Sequence, residues 1–88
     1  MVEKEVEIVN KLGIHARPAT SFVQIAEKFK SNIIVEKDGF EVNGKSILGM
    51  MMLVAPKGTK IKIKVDGPDE EEALNALVKL VEDGFGEE

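Results

Sequence analysis

Residues 60–65 read Lys-Ile-Lys-Ile-Lys-Val, a strict alternation of charged and apolar side chains. Successive side chains of a β-strand point to opposite faces of the sheet, so this run fits a strand with one buried and one wet face. A sheet containing it needs a cover on one side only. Val2 to Val9 repeats the pattern, with Val2, Val6 and Ile8 set against Glu3, Glu5 and Glu7, and Lys4 as the one break. Ile33 to Lys37 and Phe40 to Asn43 are two further strand-like runs, separated by Asp38-Gly39. That dipeptide suits a two-residue hairpin turn, because both central positions need positive φ.

Between these strands the apolar period lengthens to that of a helix. Ala16, Ala19, Phe22, Val23, Ala26 and Phe29 recur at helical spacing, with Arg17, Gln24, Glu27 and Lys28 at other positions. Ser46 precedes Ile47 to Leu53, a short apolar run that reads as a helix capped by the serine and weakened by Gly49. After Gly67-Pro68, Asp69 with Glu72 three residues on reads as an Asp version of the capping box, and Glu70 and Glu71 complement the dipole of the helix it opens. Leu74, Leu77, Val78 and Val81 form the buried stripe of that helix, and Gly84 fits a left-handed cap beyond its end. The order βαββαβα follows: an α+β fold whose antiparallel four-stranded sheet is covered on one face by three helices.

With 88 residues the chain has room for a single domain, residues 1–88. Twelve Lys and Arg against sixteen Asp and Glu leave a net charge of −4, which argues against nucleic acid or an anionic membrane as partner. No cysteine is present and only one histidine, so thiolate zinc sites, cysteine nucleophiles and a histidine cage are excluded, and no metal or cofactor is expected. The N-terminal MVEKEVEIV lacks the apolar core of a signal peptide, and a cytoplasmic location is expected.

That one histidine stands in Gly13-Ile14-His15-Ala16-Arg17-Pro18-Ala19, at the expected N-cap of the first helix. Pro18 falls in the first turn, where its missing N–H costs little, while the amides of Ala16, Arg17 and Ala19 offer donors toward His15. Together with the positive end of the helix dipole they form an anion site. An imidazole is a competent nucleophile at neutral pH, and Arg17 is placed to hold the oxygens of a phosphoryl group attached to it. The plainer alternative is a histidine that only caps the helix.

Gly-Ile-His-Ala-Arg-Pro-Ala, together with Lys45-Ser46-Ile47-Leu48-Gly49-Met50-Met51, resembles the HPr phosphocarrier family of the bacterial phosphoenolpyruvate-dependent phosphotransferase system. The resemblance spans essentially the whole chain. It implies an open-faced β-sandwich and a protein that is a substrate of phosphotransferases rather than an enzyme. It also implies that His15 takes phosphate on Nδ1 from Enzyme I and passes it to a IIA protein or domain, with Arg17 steadying the group. The repression-type paralogue, which lacks the histidine, is excluded by His15. Leu12 and the runs Asn10-Lys11-Leu12-Gly13 and Gly67 to Leu74 are similar to the nitrogen-branch paralogue.

The resemblance also makes Ser46, otherwise a plain helix cap, a site of regulatory phosphorylation by a dedicated ATP-dependent kinase, HPr kinase/phosphorylase. Ala16, Thr20, Gln24, Ile47, Leu48 and Met51 become partner contacts of a monomer. The bland reading of Ile47, Leu48 and Met51 is core; the alternative is a regulatory module that docks through this patch without transferring phosphate. Gly39-Phe40-Glu41-Val42-Asn43-Gly44-Lys45-Ser46 matches the pattern of a nucleotide-binding loop. Its interior is a strand pattern and the following helix is short, so the context such a loop needs is missing.

Overall fold

The structure, a computed structural model, describes residues 1–87. Four strands, β1 (Val2–Glu7), β2 (Asn32–Lys37), β3 (Phe40–Asn43) and β4 (Lys60–Asp66), form one antiparallel sheet in the order β1-β4-β2-β3. Helices α1 (Ala16–Ala26), α2 (Ile47–Met52) and α3 (Glu70–Glu82) cover one face. The expected order βαββαβα and one-sided cover are both found. α3 lies across β1 and β4, α2 packs on β3, and α1 sits against both other helices.

β4 is bonded on both edges, and its alternation builds the core from one side. Ile61, Ile63 and Val65 are fully buried beside Ile33 and Val35 of β2, and face Phe22, Leu77 and Val81 from the helices. Each such side chain contributes about 2–3 kcal/mol when withdrawn from water. The opposite face was expected to carry freely solvated lysines, but Lys62 and Lys64 are half-buried there. The register sets Glu3, Glu5 and Glu7 of β1 opposite Lys64, Lys62 and Lys60. Lys64 also reaches Glu36 and Glu41 from the far side, the latter at 2.9 Å. These bonds raise the affinity of Lys64 for its proton, and the Lys64 ammonium in turn holds the Glu36 carboxyl below its ordinary range. Such pairs do more for register than for net stability. Lys4, the break in the alternation, lies on the helical side at an edge strand, where its ammonium comes to 4.0 Å from Glu82.

The Asp38-Gly39 turn has φ of 50° and 85°, as the hairpin requires. Several boundaries differ from expectation. β1 stops at Glu7, although Ile8 still pairs through its N–H to Thr59 and its carbonyl to Gly58. α1 ends at Ala26, so Phe29 lies beyond the helix yet packs half-buried on the core. α2 ends at Met52, one residue short.

The capping box at Asp69 is not formed. Asp69 is the N-cap of α3 but bonds no amide of its own helix. Its carboxylate instead accepts from the N–H of Lys30 at 2.9 Å and from the N–H and hydroxyl of Ser31 at 3.0 and 2.6 Å. Helix α3 is thereby fastened to the chain entering β2. Half of a box forms two residues earlier, where Glu70 Oε1 accepts from Gly67 N–H at 3.1 Å. On α3, Ala73, Leu77, Val78 and Val81 are buried while Leu74 is only partly so. Gly84 takes the expected left-handed cap at φ 66°.

Gly13 is the backbone position on which the site loop turns. Its φ is 70°, and a Cβ there would lie 2.3 Å from the carbonyl oxygen of Ala55. The next amide, Ile14 N–H, donates to that same oxygen at 2.9 Å. Gly13→Ala combines a left-handed alanine with a backbone clash and is expected to cost roughly 2–4 kcal/mol. Thermal melting should show a loss of about 10 °C or more.

A second prediction concerns acid. The Ser31 hydroxyl, with the Lys30 and Ser31 amides, holds the Asp69 carboxyl below its ordinary range. A group with a lowered native pKa stabilises the fold above its unfolded value, and that contribution drains away as pH falls through the native one. Urea midpoints measured from pH 7 down to pH 2 should therefore fall below about pH 4, and less steeply in Asp69→Asn.

Candidate functional site

His15 is the N-cap of α1, with extended backbone at φ −110°. Its ring makes no cap hydrogen bond to the helix, which removes the reading of a histidine that merely caps. The first-turn amides of Ala16 and Arg17 precede any intrahelical partner, so they stay available as donors. Ala19 is different from expectation: its N–H donates to the His15 carbonyl at 3.0 Å and is not a free donor. Pro18 is buried in the first turn, where no amide is missed.

The ring is engaged from the other end of the chain. Nε2 lies 3.2 and 3.4 Å from the two carboxylate oxygens of Glu87. The same carboxylate accepts from Asn10 Nδ2 at 3.0 Å, and Asn10 Nδ2 also donates to the Gly13 carbonyl at 2.8 Å. Asn10 is 2% exposed, and among the described residues its Oδ1 has no partner. Thus a buried amide fixes both the loop before His15 and the acid that faces its ring.

Two shallow concavities meet at His15 and Arg17. One is lined by Lys11, Leu12, Phe85, Gly86 and Glu87, the other by Ala16, Thr20, Ser21 and Gln24. Arg17 is exposed at their shared rim. Helix-terminal amides and an exposed guanidinium at the rim of the concavities that His15 lines are the groups an anion would use there.

Ser46 lies on the neighbouring helix and does what its sequence context predicts, accepting from Gly49 N–H at 3.0 Å. α2 divides its apolar residues. Met50 and Leu53 are buried, whereas Ile47, Leu48, Met51 and Met52 are exposed, with Leu48 at 69%. The core reading of Ile47, Leu48 and Met51 is therefore wrong. Leu12 and Val54, at 73% and 68%, extend this apolar surface toward His15 and were not among the expected contacts. Thr20 turns its hydroxyl back to the Ala16 carbonyl at 2.8 Å, and Ala16 and Gln24 are exposed. Lys45, in the stretch that matches a nucleotide-binding loop, is tied to the Phe29 carbonyl at 2.8 Å. The residues before it form β3, as the sequence context required.

Glu87, Asn10 and Phe85 escaped sequence reasoning. The contact between His15 and Glu87 spans 72 residues, beyond any periodicity. Gly84 and Gly86 on either side of Phe85 were the only local hint of a sharp turn there.

Comparison with known proteins fits this geometry. Residues 2–83 match the family model described as the PTS HPr component phosphorylation site. The chain is similar to the phosphocarrier protein HPr of Neisseria meningitidis serogroup A, 52% identical over 99% of this chain and 98% of that one. Its fold matches crystalline HPr from Thermoanaerobacter tengcongensis at a TM-score of 0.96 and 56% identity, covering 100% and 99% of the two chains. It also matches the catabolite repression protein Crh of Bacillus subtilis, with TM-score 0.78, 45% identity and coverage of 96% and 97%. That Crh structure is an intertwined dimer with a swapped domain, which runs against the monomer expected from sequence.

Proposed function

The chain belongs to the HPr phosphocarrier family, and we propose from that premise that it carries a phosphoryl group on His15 between Enzyme I and a IIA protein or domain. The single observation that supports this most is a ring at a helix N-terminus that does not cap the helix, beside an exposed arginine. Nδ1 is the acceptor atom, since Nε2 faces Glu87. The phosphoryl oxygens take the helix-terminal amides and the Arg17 guanidinium. Binding to the partner proteins uses Ala16, Thr20 and Gln24 of α1 and Ile47, Leu48 and Met51 of α2. Flexible methionines suit a surface that must fit more than one of them. The protein acts in the cytoplasm and is a substrate of phosphotransferases. Among the described residues, no helix is long and apolar enough to cross a membrane.

The test is direct. With phosphoenolpyruvate, Mg²⁺ and Enzyme I, the chain should acquire an acid-labile, alkali-stable phosphoryl adduct that His15→Ala abolishes and Ser46→Ala leaves in place. No adduct on the wild type would overturn the proposal.

Ser46 phosphorylation is the proposed regulation. A phosphate on its hydroxyl would add negative charge next to the apolar surface of α2, where a partner must close. Ser46→Asp is expected to leave the fold intact and to slow phosphorylation of His15 by roughly ten-fold or more, as a charge placed in an apolar interface does. Unchanged kinetics with Enzyme I would count against it. The likeness to Crh favours one second reading, a regulatory module that docks through Ile47 to Met51 under control of Ser46. In that case the adduct assay gives no phosphohistidine.

A further inference from the structure

Three consecutive residues near the C-terminus have left-handed backbone: Gly84 at φ 66°, Phe85 at 60° and Gly86 at 75°. Glycine tolerates this; phenylalanine does so only when its surroundings hold it there. They do, because Phe85 is 7% exposed and belongs to the core. The turn packs against α3 and α1 and is closed by Gly86 N–H to Asp83 O at 3.3 Å and Glu87 N–H to Gly84 O at 3.0 Å. Its product is the placement of the Glu87 carboxylate on Nε2 of His15, with Asn10 as a buried second anchor.

We propose that this C-terminal turn is a strap that orients the His15 ring, and that Glu87 and Asn10 are positioning residues for phosphoryl transfer; the proposal rests on the phosphocarrier reading. Glu87 is a pure acceptor when ionised, so the contact requires Nε2 to carry the proton. The lone pair is then on Nδ1. In the transfer step that pair forms the N–P bond, while the bond from phosphorus to the donor's leaving atom breaks and its electrons go to the donor. A neutral ring that keeps its Nε2 proton becomes positively charged as the N–P bond forms. The Glu87 carboxylate faces that developing charge, as a buried aspartate faces the imidazolium in a serine-protease triad. On delivery the N–P electrons return to Nδ1 and the ring charge disappears. Asn10 keeps one lobe of this device rigid. Among the described residues its Oδ1 has no partner, a cost tolerated where the amide nitrogen is needed in one place.

A plain structural alternative is that Glu87 only pins the chain end. Phe85 already does so, which makes the two readings separable. In the full chain, Glu87→Gln keeps size and hydrogen-bonding capacity but removes the charge. Long-range ¹H–¹⁵N NMR of the His15 ring should show the Nε2–H tautomer in the unphosphorylated wild type. Phosphorylation of Glu87→Gln by Enzyme I should fall roughly three- to ten-fold in kcat with KM little changed, the signature of a charge felt in the transition state. Glu87→Asp should recover part of the loss. A wild-type ring protonated on Nδ1, or a Glu87→Gln chain phosphorylated at the wild-type rate, would overturn the strap. A wild type that accepts no phosphoryl group from Enzyme I would overturn the carrier reading instead, and the tautomer spectrum would still judge the strap.

Discussion

β4 is hydrogen-bonded along both edges and offers apolar side chains to one face of the sheet only. All three helices must therefore lie on that face. Antiparallel strands then bring the end of β1 and the start of β4 to the same edge of the molecule. The loop that follows β1 and the one that precedes β4 meet there through Ile14 N–H and the Ala55 carbonyl, at a contact only glycine permits at position 13. His15 emerges from that junction. Its location is a consequence of one-sided burial, carried through a single backbone hydrogen bond to the start of α1.

What could be read from the sequence was what neighbours in the chain decide. The Lys-Ile alternation, the Asp38-Gly39 turn and the Ser46 cap each depend on residues within a few positions, and each stands in the fold. The misreadings have one physical origin. Asp69 carries the side chain for a helix cap, but Ser31 and Lys30 arrive from another element and take its carboxylate. The lysines of β4 look equally solvated along the strand, whereas Lys64 is half-buried between Glu36 and Glu41 and Lys62 lies beside Glu3. The placement of His15 and Arg17 at a helix start was legible because a helix N-terminus has a local signature. Glu87 was not, because its approach depends on α3 running back across the sheet and on a left-handed turn at its end.

The surface beside His15 keeps features that stability alone would remove. Val54 has φ 51°, in a region that disfavours a β-branched residue, and it is exposed. Its carbonyl accepts from Lys37 Nζ at 2.7 Å, which ties the end of α2 to the hairpin. Together with Leu12, Leu48 and Met52 it leaves apolar area in water where polar side chains would be cheaper. Outliers of this kind gather where a surface has work to do, and the inference runs from the strained residue to the function. A protein with the proposed carrier role must be released as readily as it is bound. A shallow, apolar, partly flexible patch meets that requirement better than a deep pocket, since little has to be rearranged on either occasion.

The two nitrogens of one ring give the site its economy. An imidazole free in solution offers either nitrogen to an electrophile, and nothing in a helix N-terminus alone selects between them. In the proposed strap a carboxylate at Nε2 makes the selection, from a chain segment that Phe85 packs into the core. Arg17 has the complementary position, exposed at the rim of both concavities, which on the proposed function would let it follow a phosphoryl group that arrives on one protein and leaves on another. In the proposed carrier the fixed acid would suit a ring that has to present the same atom every time. The exposed guanidinium would suit phosphoryl oxygens whose positions change as a bond to phosphorus is made and broken.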